Sequence, residues 1–150
     1  MGLPTRVTDK LFPQTMVREF HEVYGAVINP TPTLVDEQTR ELRKALMLEE
    51  LHETLDAMDA AQHKHDLVEI ADGLADLIYV VYGTAISYGI DLDAVVREVH
   101  RSNLSKLGAD GKPIYRADGK VLKGPGYSPP DIARVLGIKR PQIRPGGIEG

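Results

Sequence analysis

Two groups of carboxylates sit inside the two most apolar stretches of this chain. Glu49, Glu50 and Glu53 punctuate the run from Leu46 to Met58, and Glu69, Asp72 and Asp76 lead into Leu77-Ile78-Tyr79-Val80-Val81-Tyr82. On a helix turning about 100° per residue, Glu53 falls roughly 300° and Glu49 roughly 260° from Glu50, forming one stripe. Leu48, Leu51, Leu55 and Met58 cover another face. With Asp72 as origin, Asp76 lands at about 40° and Glu69 at about 60°, opposite Leu67, Ile70, Leu74 and Leu77. Each helix so formed carries a carboxylate ridge beside an apolar one. Packed antiparallel, the two ridges can face each other, and that many like charges cannot share a site without a counter-ion.

Glu50 and Glu53 can reach one ion together, as can Asp72 and Asp76 from the facing helix. The donors are all oxygens, which suits Mg²⁺, or Mn²⁺ in its place, rather than zinc. More carboxylates than one octahedral ion needs leaves room for two ions, an arrangement that clamps phosphate oxygens and generates a hydroxide for in-line attack. The plainer reading is a set of solvated acids on amphipathic helices, as in a non-catalytic helical interaction module. Glu49-x-x-His52 also matches half of a di-iron carboxylate site, but the second half is missing because the following helix offers no histidine. Asn103, Lys106, Lys120 and Lys123 are of the types that grip phosphate.

The elements that must position these groups read as helices. Pro13 opens the first, to about Val27, with Met16, Phe20, Val23 and Tyr24 at helical spacing. Asn29-Pro30-Thr31-Pro32 breaks it, and Thr33 to Asp36 resembles a capping box for a long second helix that ends before His63–Asp66. A third helix spans about Leu67 to Tyr88 and stops at Gly89, and Asp91 starts a fourth. After Lys106, Ala-Asp-Gly-Lys occurs twice, at 109–112 and 117–120. The second copy predicts a hairpin pairing 114–116 with 121–123 around Asp118-Gly119. Ser128-Pro129-Pro130-Asp131 opens a last short helix to about Leu136. The expected fold is all-α: a four-helix-bundle-like core with a small C-terminal β-hairpin and a short last helix, one domain over 1–138 and a flexible tail over 139–150.

Composition narrows the function classes. A net charge of −4 argues against a nucleic-acid polymer as partner, and the absence of cysteine excludes disulfides, zinc–thiolate sites and cysteine catalysis. The apolar run over 74–90 is interrupted by Asp76, Gly83 and Ser87, too short and polar for a membrane span. A cytoplasmic protein with no membrane partner is expected.

The run Glu49-Glu50-x-x-Glu53, then Asp72-Gly-Leu-Ala-Asp76-Leu-Ile-Tyr-Val-Val-Tyr-Gly83, resembles the all-α nucleoside triphosphate pyrophosphohydrolases. That superfamily includes MazG proteins, dimeric dUTPases and phosphoribosyl-ATP pyrophosphohydrolases. The likeness continues through Glu98-Val-His-Arg-Ser-Asn103-Leu-Ser-Lys106 and Ala117-Asp-Gly-Lys120-Val-Leu-Lys123 to Tyr127 and Asp131, and is closest to the MazG-like, phosphoribosyl-ATP-pyrophosphohydrolase-like proteins. It implies Mg²⁺-dependent hydrolysis of the α–β phosphoanhydride of a nucleotide by a homo-oligomer, dimeric or tetrameric, in nucleotide-pool house-cleaning. By the resemblance, Glu50, Glu53 and Asp76 match metal ligands, and Glu49 binds metal or orients water, with Glu49 or Glu50 accepting its proton. The family's second motif is usually Glu-x-x-Asp, and here Gly73 stands in its Glu slot. Asp72 takes the vacant role, and Glu69 serves as an outer or alternative ligand. Asn103 and Lys106 match phosphate- or sugar-contacting positions, with Lys120, Lys123 and Tyr127 closing over the substrate.

Overall fold

The structure, a computed structural model, describes residues 13–140. Helices α1 (Pro13–Tyr24), α2 (Glu37–Ala60), α3 (Leu67–Ser87), α4 (Leu92–Leu104) and α5 (Ile132–Leu136) follow in order, with a 3₁₀ turn at Lys64–Asp66. The all-α class is as expected. The described residues divide into two compact units, one ending at Leu92 and the other beginning at Asp93. The expected tail over 139–150 falls, from 141 onward, outside the described residues.

In the first unit α1 and α2 each pack on α3. α1 stops at Tyr24, earlier than the apolar spacing suggested, because Gly25 turns the chain left-handed at φ 70°. α2 is capped by Asp36, whose carboxylate accepts the Thr39 N–H at 2.8 Å. Thr33, expected to cap, instead donates its hydroxyl to the Thr31 carbonyl. Asp66 ties the α2–α3 link by accepting the Gln62 and His63 N–H groups.

Two glycines set the register of α2 against α3. A Cβ on Gly73 would stand 2.8 Å from Thr54 Oγ1 and 3.1 Å from Thr54 Cα, so here the helices meet almost backbone to backbone. Gly83 is similarly filled by the Arg43 guanidinium of α2 and by His21 Nε2 of α1, 2.8 Å from where its Cβ would be. Thr54 facing Gly73 and Arg43 facing Gly83 make the pair antiparallel, and the same register brings Glu50 opposite Asp76 and Leu77.

The interior of this unit is small and partly polar. Val17, Ala85 and Ile86 are its buried apolar side chains, beside buried His21, Arg43, Thr54 and Ser87. Arg43 donates to Thr84 Oγ1 (3.1 Å) and to the Val80 carbonyl (2.8 Å). Ser87 Oγ donates to the Val27 carbonyl, and Asn29 Nδ2 to the Ser87 carbonyl. Leu48, Leu55 and Met58 on α2 and Leu67, Leu74 and Ile78 on α3 stay exposed. With the preceding turn, Lys64–Ser87 is long and apolar enough by length and composition to cross a membrane, contrary to the expectation from 74–90 alone; 22% of its most apolar window is buried. Glu69, Asp72 and Asp76 lie along it, and carboxylates at bilayer depth are costly.

In the second unit the expected hairpin is not formed. The Asp118-Gly119 turn is present, with Gly119 at φ 86°, Arg116 N–H on the Lys120 carbonyl and Leu122 N–H on the Ile114 carbonyl. Pairing nevertheless stops at one bridge, Tyr115 with Val121, and no strand forms among the described residues. Pro113 offers no N–H, Gly124-Pro125 ends the other arm, and exposed Tyr115, Val121 and Leu122 have no apolar layer to pack on. α5 is capped by Asp131, which accepts the Arg134 N–H, and ends at left-handed Gly137.

Candidate active site

The site is built on one face of the α2–α3 pair. Thr54, 2% exposed, hydrogen-bonds its hydroxyl back to the Glu50 carbonyl one turn earlier and packs on Gly73. This close approach fixes the separation of the helices where the acids stand. It also accounts for glycine in the slot where the family pattern has Glu. A side chain at 73 would run into α2 instead of reaching beside Asp76.

Glu50 is the half-buried member; Glu49, Glu53, Asp72 and Asp76 are exposed. Partial burial pushes the Glu50 carboxyl up from the ordinary range, and Asp76, Glu53, Glu49 and Asp72 each push it further in the same direction. Every charge acting on it is negative. Glu49, Glu53, Asp72 and Asp76, from two helices, thus all act on Glu50. As they stand, however, no three acidic or histidine side chains among the described residues are close enough to cage an ion. The donor set still suits a hard divalent cation: it is all oxygen, negatively overcharged and partly exposed, so side chains can swing inward. Glu69 does not act on Glu50. By the α2–α3 register it lies opposite Ala57 and Met58, about two turns away, in the first turn of α3, where a carboxylate complements the helix N-terminus.

The residues expected to touch substrate belong to the second unit. Asn103 is exposed in the last turn of α4, and its carbonyl accepts the Lys106 N–H. Lys106 is half-buried and its carbonyl accepts the Gly124 N–H at 2.8 Å. Lys123 Nζ stands 4.6 Å from the centre of the Tyr127 ring, a cation–π contact that brings these two together. Lys120 is exposed beyond the Asp118 turn, whose carboxylate accepts its N–H.

Sequence reasoning missed Thr54, Arg43 and Glu98. Glu98 is 7% exposed and is held at about 2, foremost by the Arg101 guanidinium and then by the Asp131 N–H. A cleft of about 690 Å³ opens beside Glu98, Arg101 and Arg134. A glutamate three residues before an arginine on one helix was the available signal.

Residues 17–103 match the sequence pattern of the phosphoribosyl-ATP pyrophosphohydrolase family. An uncharacterized protein, L479 of Acanthamoeba polyphaga mimivirus, is 33% identical over 111 residues, which is 71% of this chain and 40% of that protein. The chain therefore spans less than half the length of that relative. A crystal structure from Exiguobacterium sp. 255-15, assigned provisionally as an NTP pyrophosphohydrolase, matches 81% of this chain and 90% of its own at 22% identity and a TM-score of 0.39. With most of α1 to α4 inside the matched span, this chain belongs to the phosphoribosyl-ATP pyrophosphohydrolase family.

Proposed function

We propose that the chain is a divalent-cation-dependent nucleotide pyrophosphohydrolase that cleaves the α–β phosphoanhydride of a nucleoside triphosphate, giving a monophosphate and pyrophosphate. The observation that carries this reading is the placement of Glu50 on α2 within reach of the charges of Glu49 and Glu53 on its own helix and of Asp72 and Asp76 on α3. Family membership supports the same class of reaction.

Glu50, Glu53, Asp72 and Asp76 would hold Mg²⁺ or Mn²⁺, with Glu69 as a more distant acid. The ion, when bound, neutralises phosphate charge and lowers the pKa of water. Glu49 or Glu50 accepts the proton of the attacking water. Asn103, Lys106, Lys120 and Lys123 bind the phosphates and stabilise charge on the departing pyrophosphate, and Tyr127 packs over the substrate. The chain works in the cytoplasm as a homo-oligomer, dimer or tetramer, whose subunits bury the exposed apolar faces of α2 and α3 against one another. Removal of unwanted nucleotides from the pool is the role this reaction would serve.

The experiment is pyrophosphate release from a panel of nucleoside triphosphates with Mg²⁺, with Mn²⁺ and with EDTA. Release that needs the metal and favours one nucleotide is expected. A parallel melt should show Mg²⁺ stabilising the fold, by about 2.7 kcal/mol at a hundred times its Kd. No release from any nucleotide and no metal-dependent melt would instead favour an interaction module, to which the exposed apolar faces would then belong.

A further inference from the structure

Glu98 is the buried acid among the described residues of the second unit, and the partners of its carboxylate are donors. Its Oε1 accepts Arg101 Nη2 at 2.8 Å and the Asp131 N–H at 2.8 Å; its Oε2 accepts Arg101 Nε at 3.0 Å and Arg134 Nη2 at 3.4 Å. Arg101 passes the connection on, donating to Ser128 Oγ and to the Pro129 carbonyl, both at 3.1 Å. Just past the end of α4, Ser105 Oγ accepts the Ser128 N–H at 2.8 Å. Gly124 N–H reaches the Lys106 carbonyl, and any Cβ on Gly124 would collide with the Leu107 carbonyl. The end of α4 thus grips residues 124–131 from several sides.

Between these two gripped ends lies the loop 107–123. Its cations, Lys112, Arg116, Lys120 and Lys123, outnumber its acids, Asp110 and Asp118, in a chain whose net charge is −4. Arg116 is already paired with Asp118, which leaves the lysines as the charges on offer. A loop whose ends are pinned has far fewer arrangements to lose when it binds something.

We propose that Glu98 is a positioning residue. By gripping Arg101 and the Asp131 N–H it fixes both feet of the 107–123 loop, so that the lysines of the loop and its ends meet the phosphate chain of an anionic substrate in one arrangement. This rests on the reading of the chain as a nucleotide pyrophosphohydrolase. The role needs a carboxylate of this length. Glutamine would turn an amide N–H₂ toward the Arg101 guanidinium, and aspartate falls about one methylene short. α5 keeps its own cap at Asp131, so the loop, more than the helix, depends on the grip.

The test compares wild type with Glu98→Gln and Ser105→Ala in three assays: KM and kcat for pyrophosphate release, calorimetric binding of inorganic tripolyphosphate, and trypsin cleavage after Lys120 and Lys123 in the folded protein. Glu98→Gln is expected to raise KM about tenfold or more, weaken tripolyphosphate by a similar factor and speed cleavage, with kcat within about threefold and helical circular dichroism kept. A folded variant with unchanged KM and unchanged tripolyphosphate affinity overturns the proposal, as does a loss confined to kcat. If Glu98→Gln does not fold, Ser105→Ala decides, since it loosens the same grip at Ser128: a raised KM supports the proposal and an unchanged one overturns it. If wild type releases no pyrophosphate, the proposed function fails, while tripolyphosphate binding and cleavage still decide the role of Glu98.

Discussion

Glu50 of α2 and Glu98 of α4 are the same side chain on the same kind of element, in opposite surroundings. Around Glu50 every acting charge is negative and its carboxyl is pushed up. Around Glu98 two arginines and a backbone N–H supply what a carboxylate needs, and it is held at about 2. Burial would have ranked them the wrong way for chemistry, because Glu98 is the more enclosed of the two. What separates them is whether the fold answers the charge. An acid already answered is committed to structure, and one left unanswered is available to a cation, a proton or a substrate.

The contrast is broken most sharply at Glu53. Glu53→Gln is expected to lower pyrophosphate release by on the order of a thousandfold, while the thermal midpoint stays level or rises slightly because a repelling charge near Glu50 is gone. Loss of helical circular dichroism instead would make Glu53 an answered, structural acid and remove the distinction. A middle-sized effect is expected where the two ridges are held in register. Gly73→Ala gains up to about 1 kcal/mol of helix propensity. It also forces a Cβ to 2.8 Å from Thr54 Oγ1, and a net loss of about 1–2 kcal/mol in urea unfolding is expected. Thr54→Ala in the same chain should recover part of it. If Gly73→Ala is neutral or stabilising, α2 and α3 are not locked as described.

The smallest effect is a slope. The Arg101 guanidinium and the Asp131 N–H hold the Glu98 carboxyl down at about 2 in the folded chain, below the ordinary glutamate value of 4.5, so below pH 4.5 the unfolded chain binds the extra proton first. Its contribution is complete above that value and drains away as pH falls toward 2. Melts of wild type from pH 6 to pH 2 should therefore fall more steeply than melts of Glu98→Gln. Parallel curves would show that Glu98 is not held as tightly as its partners suggest.

Much of the helical frame was legible because it is written locally. Pro13, the break at Asn29–Pro32, Gly89 and Asp131 act within a turn of where they stand, and the spacing of Glu50, Glu53, Asp72 and Asp76 carries the facing ridges. Local signals also misled where two competed. Asp36 outcompeted Thr33 as the cap, Gly25 ended α1 before its apolar pattern did, and Asp118-Gly119 made its turn without the layer that would have turned its arms into strands. Glu98, Arg43 and Thr54 stayed hidden because their roles exist only after folding. Glu98 answers residues 33 and 36 positions away, and Arg43 answers residues 37 and 41 positions away. The place of Gly73 likewise looked like a departure from the family motif until Thr54 was seen against it.

Gly73 and Gly83 lie about 15 Å apart along α3. At each, a neighbouring helix occupies the volume of the first side-chain carbon. A rod held in two such notches can neither slide nor roll, so the alignment of the acids is set mechanically, by missing atoms. A side chain is then barred at the notches themselves, where a neighbouring helix already fills its place.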